Sequence, residues 1–204
     1  MTEQMNKAAE SLRRHGYEVY CVATAADAAR EALRLIEPGW SVGVGGSMTV
    51  RELGLVEALT QRGHDVWWHW TTPGEKGQVW ANARSADVYL ASANALTTSG
   101  QLVNIDGTGN RVASLIHGPA AVLMIIGAQK VVEGGLSAAI ARIKREACPP
   151  NASRLKLNTP CAHTGRCNEA ECGDDCMCRA ITVMQRPLRG QRAMVVLVDE
   201  PIGY

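Results

Sequence analysis

Five of the chain's seven cysteines fall within twenty residues, in the segment TPCAHTGRCNEAECGDDCMC at positions 159–178. Thiolates at such short separations can converge on one centre, and four of them suit either tetrahedral Zn²⁺ or an iron–sulfur cluster. The segment has almost no large apolar side chains, so packing offers little to offset its ordering entropy. We therefore expect a metal centre that orders residues 159–178, the alternative being a flexible flap of free or oxidised thiols. The candidate ligands are Cys161, Cys167, Cys172, Cys176 and Cys178.

A glycine turn is the second feature with chemical potential. VGVGGSMTVREL at 42–53 reads as a strand, a turn and the start of a helix, in which Gly45 and Gly46 permit close backbone approach and Ser47 can cap the helix. Free N–H groups at a helix start favour an anionic oxygen, so we expect a small anion there. The alternative is a tight turn that binds nothing. Neither a Walker motif nor a full GxGxxG is present, so the loop does not support a nucleotide site.

A third stretch, residues 94–113, concentrates polar side chains and glycines between apolar strands. Such density predicts a binding loop, although a surface hairpin built from Asx-turns has the same composition. By contrast, alternation along WWHW at 67–70 puts Trp68 and Trp70 on one face of a strand, and we interpret these tryptophans as core or interface filler. The polar members of the loop are Asn94, Thr97, Thr98, Asn104, Asp106, Asn110 and Arg111.

The elements that must position these residues alternate along the chain. Strand-like runs at 17–22, 40–46, 65–70, 86–92, 120–127 and 193–199 are separated by helix-like runs, among them 26–37, 48–63 and 134–147. This rhythm predicts an α/β fold with a mostly parallel sheet and helices on both faces, whose ligands collect beyond the carboxyl ends of the strands. The alternation stops at Cys148-Pro149-Pro150, and we interpret about 150–180 as a cysteine-rich insert within one domain, 1–204.

Composition and net charge argue against several classes of function. The formal net charge of +1 gives no electrostatic footprint for nucleic acid or an anionic membrane. No run approaches the ~18 apolar residues of a membrane span, and the N-terminus lacks a signal-peptide pattern, so we expect a cytoplasmic protein. In a reducing cytoplasm, clustered cysteines favour metal binding or redox work over stable disulfides.

Four segments carry a specific resemblance. GGSMTVRELG, NALTTSGQLVNIDGTGNRVASLIHGP, VLMIIGAQKVV and NTPCAHTGRC, in this order over about 40–204, resemble the lactate-utilisation (LUD, formerly DUF162) family. The resemblance implies a fold similar to glucosamine-6-phosphate deaminase, ribose-5-phosphate isomerase and the CoA transferases, with iron–sulfur proteins as operon partners. Carried over position by position, it implies a ligand site formed by Gly45, Gly46, Ser47, Thr49, Asn94, Asn104, Asp106, Gly109, Asn110, Arg111 and Lys130.

Two departures from the family's relatives affect the site. Where the related enzymes carry an acidic base or a glutamate nucleophile, this chain has no carboxylate until Asp106, which is therefore either a catalytic base or a loop-capping and ligand-orienting residue. Among the cysteines, Cys161, Cys167 and Cys178 match the relatives directly, while the fourth ligand stays open between Cys172 and Cys176. The redox partners of the family favour an iron–sulfur cluster over zinc.

These observations predict a cytoplasmic component of lactate or related organic-acid utilisation that binds a small anionic ligand beside iron–sulfur partner subunits. One alternative is a stand-alone isomerase- or CoA-transferase-like enzyme acting on a phosphorylated or acyl molecule. Another is a non-catalytic scaffold subunit. The sequence leaves open whether the chain is itself an enzyme and whether it forms a homo-oligomer.

Overall fold

A six-stranded, fully parallel sheet forms the centre of the computed structural model, which describes residues 1–204. The strand order is β1-β10-β7-β4-β2-β3. These strands are β1 (Glu18–Val22), β2 (Val42–Val44), β3 (Val66–Trp68), β4 (Val88–Ala91), β7 (Ala121–Gly127) and β10 (Arg192–Val198). The helices are α1 (Glu3–Arg14), α2 (Ala25–Leu35), α3 (Met48–Glu52), α4 (Leu55–Gln61), α5 (Lys76–Arg84), α6 (Asn110–Ile116), α7 (Gly135–Arg142), α8 (Cys148–Arg154) and α9 (Pro160–Thr164). The predicted α/β fold with a mostly parallel sheet is confirmed.

Both faces of this sheet are buried, as the continuous apolar runs of its central strands require. Along β7, Val122, Met124 and Ile126 pack into one core, while Leu123 and Ile125 pack into the core on the opposite face. This alternation follows from the two-residue period of a strand. Helices therefore cover both faces, and the carboxyl ends of β2, β4 and β7 meet at one edge.

A second, four-stranded sheet was not anticipated from the sequence. Its order is β8-β5-β6-β9, and its strands are β5 (Ala95–Thr97), β6 (Leu102–Asp106), β8 (Val131–Val132) and β9 (Ala180–Met184). The β5–β6 and β6–β9 pairs are antiparallel, whereas β5–β8 is parallel. The polar 94–111 loop is thus largely a hairpin in this sheet, and a third apolar cluster joins the sheet to α7.

The helix predicted over 48–63 is two helices. The chain breaks at Gly54, whose φ of +62° lies in the left-handed region that glycine adopts without strain. In the other direction, the helix predicted to stop near residue 147 continues to Arg154. A π-helical turn, Ile143–Ala147, precedes Pro149 and Pro150, which cannot donate backbone hydrogen bonds. This continuation places Cys148 within a helix.

No helix of the protein is both long enough and apolar enough to cross a membrane.

Close packing of α5 on β2 yields a test of the core. A Cβ on Gly43 would lie 2.0 Å from the backbone oxygen of Ala83, so Gly43→Ala forces α5 outward. We expect the free energy of unfolding to fall by roughly 1–3 kcal/mol in urea denaturation. The matched control is Gly77→Ala on α5, which meets no atom within 4 Å and should leave stability unchanged or raised by up to ~1 kcal/mol. Equal stability of both variants would show that α5 is not fixed against β2.

Candidate functional site: a polar cavity and a cysteine cavity

A polar cavity of about 440 Å³ lies beyond the carboxyl ends of β2, β4 and β7. Segments that follow these strands supply one side of it, and the second sheet, α8 and the cysteine-rich segment supply the rest. Eight of the predicted residues line it: Gly46, Ser47, Thr49, Asn94, Asp106, Asn110, Arg111 and Lys130. The other three, Gly45, Asn104 and Gly109, do not line it. The structure therefore brings the glycine turn and the polar loop to one edge of the sheet.

The guanidinium of Arg111 organises the polar loop from within. Arg111 is buried and donates to the side-chain oxygens of Asn104 (2.6 Å) and Asn94 (2.9 Å). It also donates to the backbone oxygens of Ile105 (2.9 Å) and Ser92 (3.3 Å). The two asparagines in turn bond the opposite strand of the hairpin, since Asn94 N–H donates to Asn104 Oδ1 and Ile105 N–H donates to Asn94 Oδ1. The guanidinium and the two amide oxygens thus bond one another and the hairpin backbone, which is the arrangement of a structural framework, while Asn104 Nδ2 is buried without a partner.

Asp106 completes this network. Its Oδ2 pairs with Arg111 Nε at 3.3 Å, and its Oδ1 accepts from the backbone N–H groups of Thr108 (3.1 Å) and Gly109 (2.7 Å). Gly109, at the start of α6, has a φ of +84°, a left-handed backbone conformation that glycine adopts without strain. Both carboxylate oxygens are therefore occupied. The contacts favour the loop-orienting role for Asp106, and its catalytic role stays a prediction.

The two glycines of the turn differ in surroundings. A Cβ on Gly45 would lie 3.1 Å from both Arg111 Cγ and Tyr89 Oη, so Gly45 permits this close packing. Gly46 faces the cavity with ordinary space around it. Ser47 Oγ accepts from the N–H of Val50 at 3.3 Å and caps α3, a helix of five residues. Anion binding at this turn stays a prediction.

Lys130 is the most unusual side chain of the cavity. It is only 2% exposed, and its Nζ donates to Thr49 Oγ1 at 2.7 Å and Ser92 Oγ at 3.1 Å without forming an ion pair. Burial, followed by the positive charges of Arg142 and Arg111, lowers the pKa of Lys130 to about 7, against a smaller opposing effect of Glu52. Near neutral pH the amine is thus present in both charged and neutral forms. The family resemblance identified this residue, but nothing in the local sequence signals its burial.

Sequence reasoning missed Arg154, which lies at the mouth of the cavity. Its guanidinium stacks over the ring of Trp70 at 4.7 Å, and it donates to Tyr204 Oη (2.9 Å) and Asn151 Oδ1 (2.7 Å). Trp67 and Trp68 pack in the two apolar cores, as the interpretation of WWHW as filler expects. Trp70, by contrast, both packs against a core and lines the cavity together with the neighbouring His69. These contacts join distant parts of the chain, and no sequence pattern could have found them.

A second cavity, of about 240 Å³, collects the cysteines. All five predicted ligands line it, and Cys148, which the sequence did not place there, lines it too. Cys148 Sγ lies 3.5 Å from Cys178 Sγ, and every cysteine of the chain is free. However, no group of three or more His, Cys, Asp or Glu side chains is arranged so that it could hold a metal ion. The structure gathers the thiols without forming a finished ligand set.

The surroundings of three of these thiols, Cys167, Cys172 and Cys178, raise the pKa and so favour the protonated form. The hydrogen bond with Cys148, together with burial, raises the pKa of Cys178 far above its usual range. Burial, with the neighbouring Cys176 thiol, raises the pKa of Cys172 to about 11. Because the thiolate is the nucleophile, such thiols are poorly suited to disulfide chemistry at neutral pH. A bound cation would reverse this situation by stabilising the thiolates.

Fold and site together define an α/β protein with a polar cavity at the carboxyl edge of a parallel sheet. A comparison with protein families finds that the LUD domain model matches residues 5–198. The chain belongs to the LUD domain family, and this membership supports a lactate-utilisation-related role. The match begins well before residue 40, where the sequence resemblance was expected to start.

The fold is similar to that of one solved structure in particular, the crystal structure of a DUF162 family protein from Deinococcus radiodurans. The two chains share 14% sequence identity with a TM-score of 0.58, and the alignment covers 96% of each. At this identity the similarity concerns the fold alone. A comparison with curated proteins finds no significant match.

The low pKa of Lys130 predicts a pH-dependent stability difference. Between pH 7 and ~10.4 the unfolded chain holds a proton on this amine that the folded protein lacks, so the destabilisation caused by burying it is largest below pH 7 and declines above. Lys130→Met should therefore gain stability relative to wild type at pH 7. That relative gain should shrink by about 2 kcal/mol in total between pH 7 and 9 in urea denaturation, with a slope that approaches ~1.4 kcal/mol per pH unit above pH 8.

The control is Lys7→Met, which removes an exposed lysine that pairs with Glu3 on the surface of α1. Its stability relative to wild type should show no such decline. A difference between Lys130→Met and wild type that stays constant from pH 7 to 9 would show that the Lys130 amine keeps an ordinary pKa.

Proposed function

We propose that this protein is a cytoplasmic component of lactate or related organic-acid utilisation, and that its polar cavity binds the carboxylate of a small acid. Family membership supports the role, and one observation supports the binding chemistry. Arg154 lines the cavity, and its hydrogen bonds go to neutral groups only. Arg154 forms no ion pair with any carboxylate of the protein, although Asp174 and Asp175 also line the cavity.

The geometry around Arg154 suits a carboxylate ligand. Trp70 supports the guanidinium plane, while Tyr204 and Asn151 fix its orientation. A planar guanidinium held in this way presents parallel N–H groups to a carboxylate and loses little side-chain entropy on binding. The acid would then occupy a cavity whose inner wall carries Lys130 and Thr49. Arg111 takes no direct part, because its nitrogens are committed to the loop.

Removal of Arg154 tests this binding. Arg154→Met should weaken binding of lactate by roughly 10- to 100-fold in isothermal calorimetry, the loss expected for a charge-assisted hydrogen-bonded pair. The control Arg62→Met removes an exposed arginine that bonds the backbone of Leu33 outside the cavity, and should bind like wild type. In cells, deletion of the gene should abolish growth on lactate while growth on glucose continues, and the Arg154→Met gene should fail to restore it.

The same measurements separate the alternatives. Tight binding and turnover of a sugar phosphate or a CoA ester by the isolated protein would favour the stand-alone enzyme. Absence of any bound acid, together with recovery of partner subunits on purification, would favour a scaffold. Undiminished growth of the deletion strain on lactate would overturn the proposed role itself.

We further propose that the cysteine cavity holds a metal centre, with Cys161, Cys167 and Cys178 and either Cys172 or Cys176 as ligands. The donor set fits, because several thiols face one small cavity and sulfur ligands select zinc or iron–sulfur clusters. When bound, an iron–sulfur cluster would supply one-electron transfer, whereas zinc would order the segment only. The segment's own residues supply the ligands and a partly buried, low-dielectric surrounding.

Anaerobic purification followed by metal analysis tests this centre. Wild-type protein should carry stoichiometric iron with a reducible absorption band, and Cys161→Ser should lose most of the metal. Cys21→Ser, which alters an exposed cysteine outside the cysteine cavity, should retain it. Stoichiometric zinc in a colourless protein would leave the ordering role and remove electron transfer. Metal-free wild-type protein would overturn the centre.

A further inference from the structure

We propose that Lys130 is a nucleophilic amine that forms an imine with the carbonyl carbon of a 2-oxo acid bound in the polar cavity. The inference rests on the proposed function, since oxidation of a 2-hydroxy acid such as lactate yields a 2-oxo acid. It adds a reacting group and a substrate class to the cavity.

The hydrogen bonds of Lys130 match a neutral amine. A neutral primary amine has two N–H groups and one lone pair, whereas an ammonium has three N–H groups and no lone pair. The structure offers the amine two acceptors, Thr49 Oγ1 and Ser92 Oγ. Both hydrogens of the neutral form are therefore satisfied and the lone pair is left free. An ammonium at this position would keep one buried N–H without a partner.

Packing around the amine favours the same form. The C-terminal loop approaches so closely that a Cβ on Gly203 would lie 2.3 Å from Thr49 Oγ1 and 3.2 Å from Lys130 Nζ. This loop shields the amine from water on the side away from the cavity. No carboxylate pairs with it, and burial together with the nearby charges of Arg142 and Arg111 outweighs the smaller opposing effect of Glu52, so that the pKa of the amine is lowered. A lysine that is desolvated and placed beside other cations is an activated nucleophile.

A lysine that served only as a counter-ion would need the opposite environment. It would gain from a neighbouring carboxylate or from solvent, either of which keeps an ammonium charged. The cavity instead provides a separate cation, Arg154, that always carries its charge. The two cations thus have separate roles: Arg154 binds the carboxylate of the 2-oxo acid, and Lys130 faces its carbonyl carbon.

The chemical step balances without an oxidant or reductant. The lone pair of Lys130 Nζ attacks the carbonyl carbon of the 2-oxo acid, and a new C–N bond forms. Nitrogen then loses both hydrogens, the C–O bond breaks, and the carbonyl oxygen leaves as water. The hydroxyls of Thr49 and Ser92, which already bond the amine, are placed to relay these protons.

Reductive trapping tests the imine. Wild-type protein is incubated with pyruvate, the simplest suitable 2-oxo acid, and sodium borohydride, which reduces an imine to a stable secondary amine. Peptide mass mapping should locate the adduct on Lys130, with on the order of 100-fold more label at pH 7.5 than on the exposed Lys7, whose pKa is raised by its hydrogen bond to Glu3. Labelling of Lys130 should rise with a midpoint near pH 7. Lactate, which has no carbonyl, should give no adduct.

Variants sharpen the result. Lys130→Arg and Lys130→Met should abolish the adduct, while Lys7→Arg should keep it. If the Lys130 variants fail to fold, the distribution of label among the five lysines of the wild-type chain is sufficient to show whether Lys130 forms the imine. Label spread evenly over the exposed lysines, or none on Lys130, overturns the inference. If lactate still binds in that case, the proposed function stands without it; if lactate binding is also absent, both fail.

Discussion

The buried guanidinium of Arg111 is the constraint on which the site depends. It bonds two side-chain amides, two backbone carbonyls and one carboxylate, and so ties the end of β4, the hairpin of the second sheet and the start of α6 together. A charge buried in this way is tolerated because every nitrogen of the group has a partner. Loss of the arginine would leave Asp106 and two asparagines buried without their partner. Removal of one partner of a buried ion pair lowers the free energy of unfolding by about 3–5 kcal/mol.

All the side-chain nitrogens of Arg111 have partners within the protein. The second buried cation of the cavity, Lys130, has a different electrostatic environment. Lys130 has two hydroxyl partners and no carboxylate partner, and burial together with the charges of Arg142 and Arg111 lowers the pKa of its amine. Arg154 at the mouth is a third kind of cation, partly solvated and oriented by an aromatic ring. The three cations thus differ in role because they differ in burial and in partners.

The polar cavity and the cysteine cavity are neighbours. Cys148, Cys176 and Met177 line both, so a thin wall of side chains separates them. The π-helical turn before α8 creates this arrangement, since it lets the helix continue through Pro149 and Pro150 and carries Cys148 to the boundary. A metal centre in the cysteine cavity would therefore lie beside the bound acid.

The sequence by itself determined the parallel α/β sheet, the family and the segments that form the site. Apolar runs such as 120–127 specify a strand buried on both faces, and glycines such as Gly45 mark places where chains approach closely, because these are local properties of the residues. The division of β5, β6, β8 and β9 into a second sheet was not visible, since short strands pair through contacts distant in sequence. Only the tertiary structure decided that Arg111 donates to the side-chain oxygens of Asn94 and Asn104, and that Lys130 lacks an ion partner. It also decided that Arg154 meets Trp70 and that Cys148 joins the other thiols. Burial and pairing depend on which segments pack together, so residues of the same type differ in partners, solvent exposure and charge state according to those neighbours.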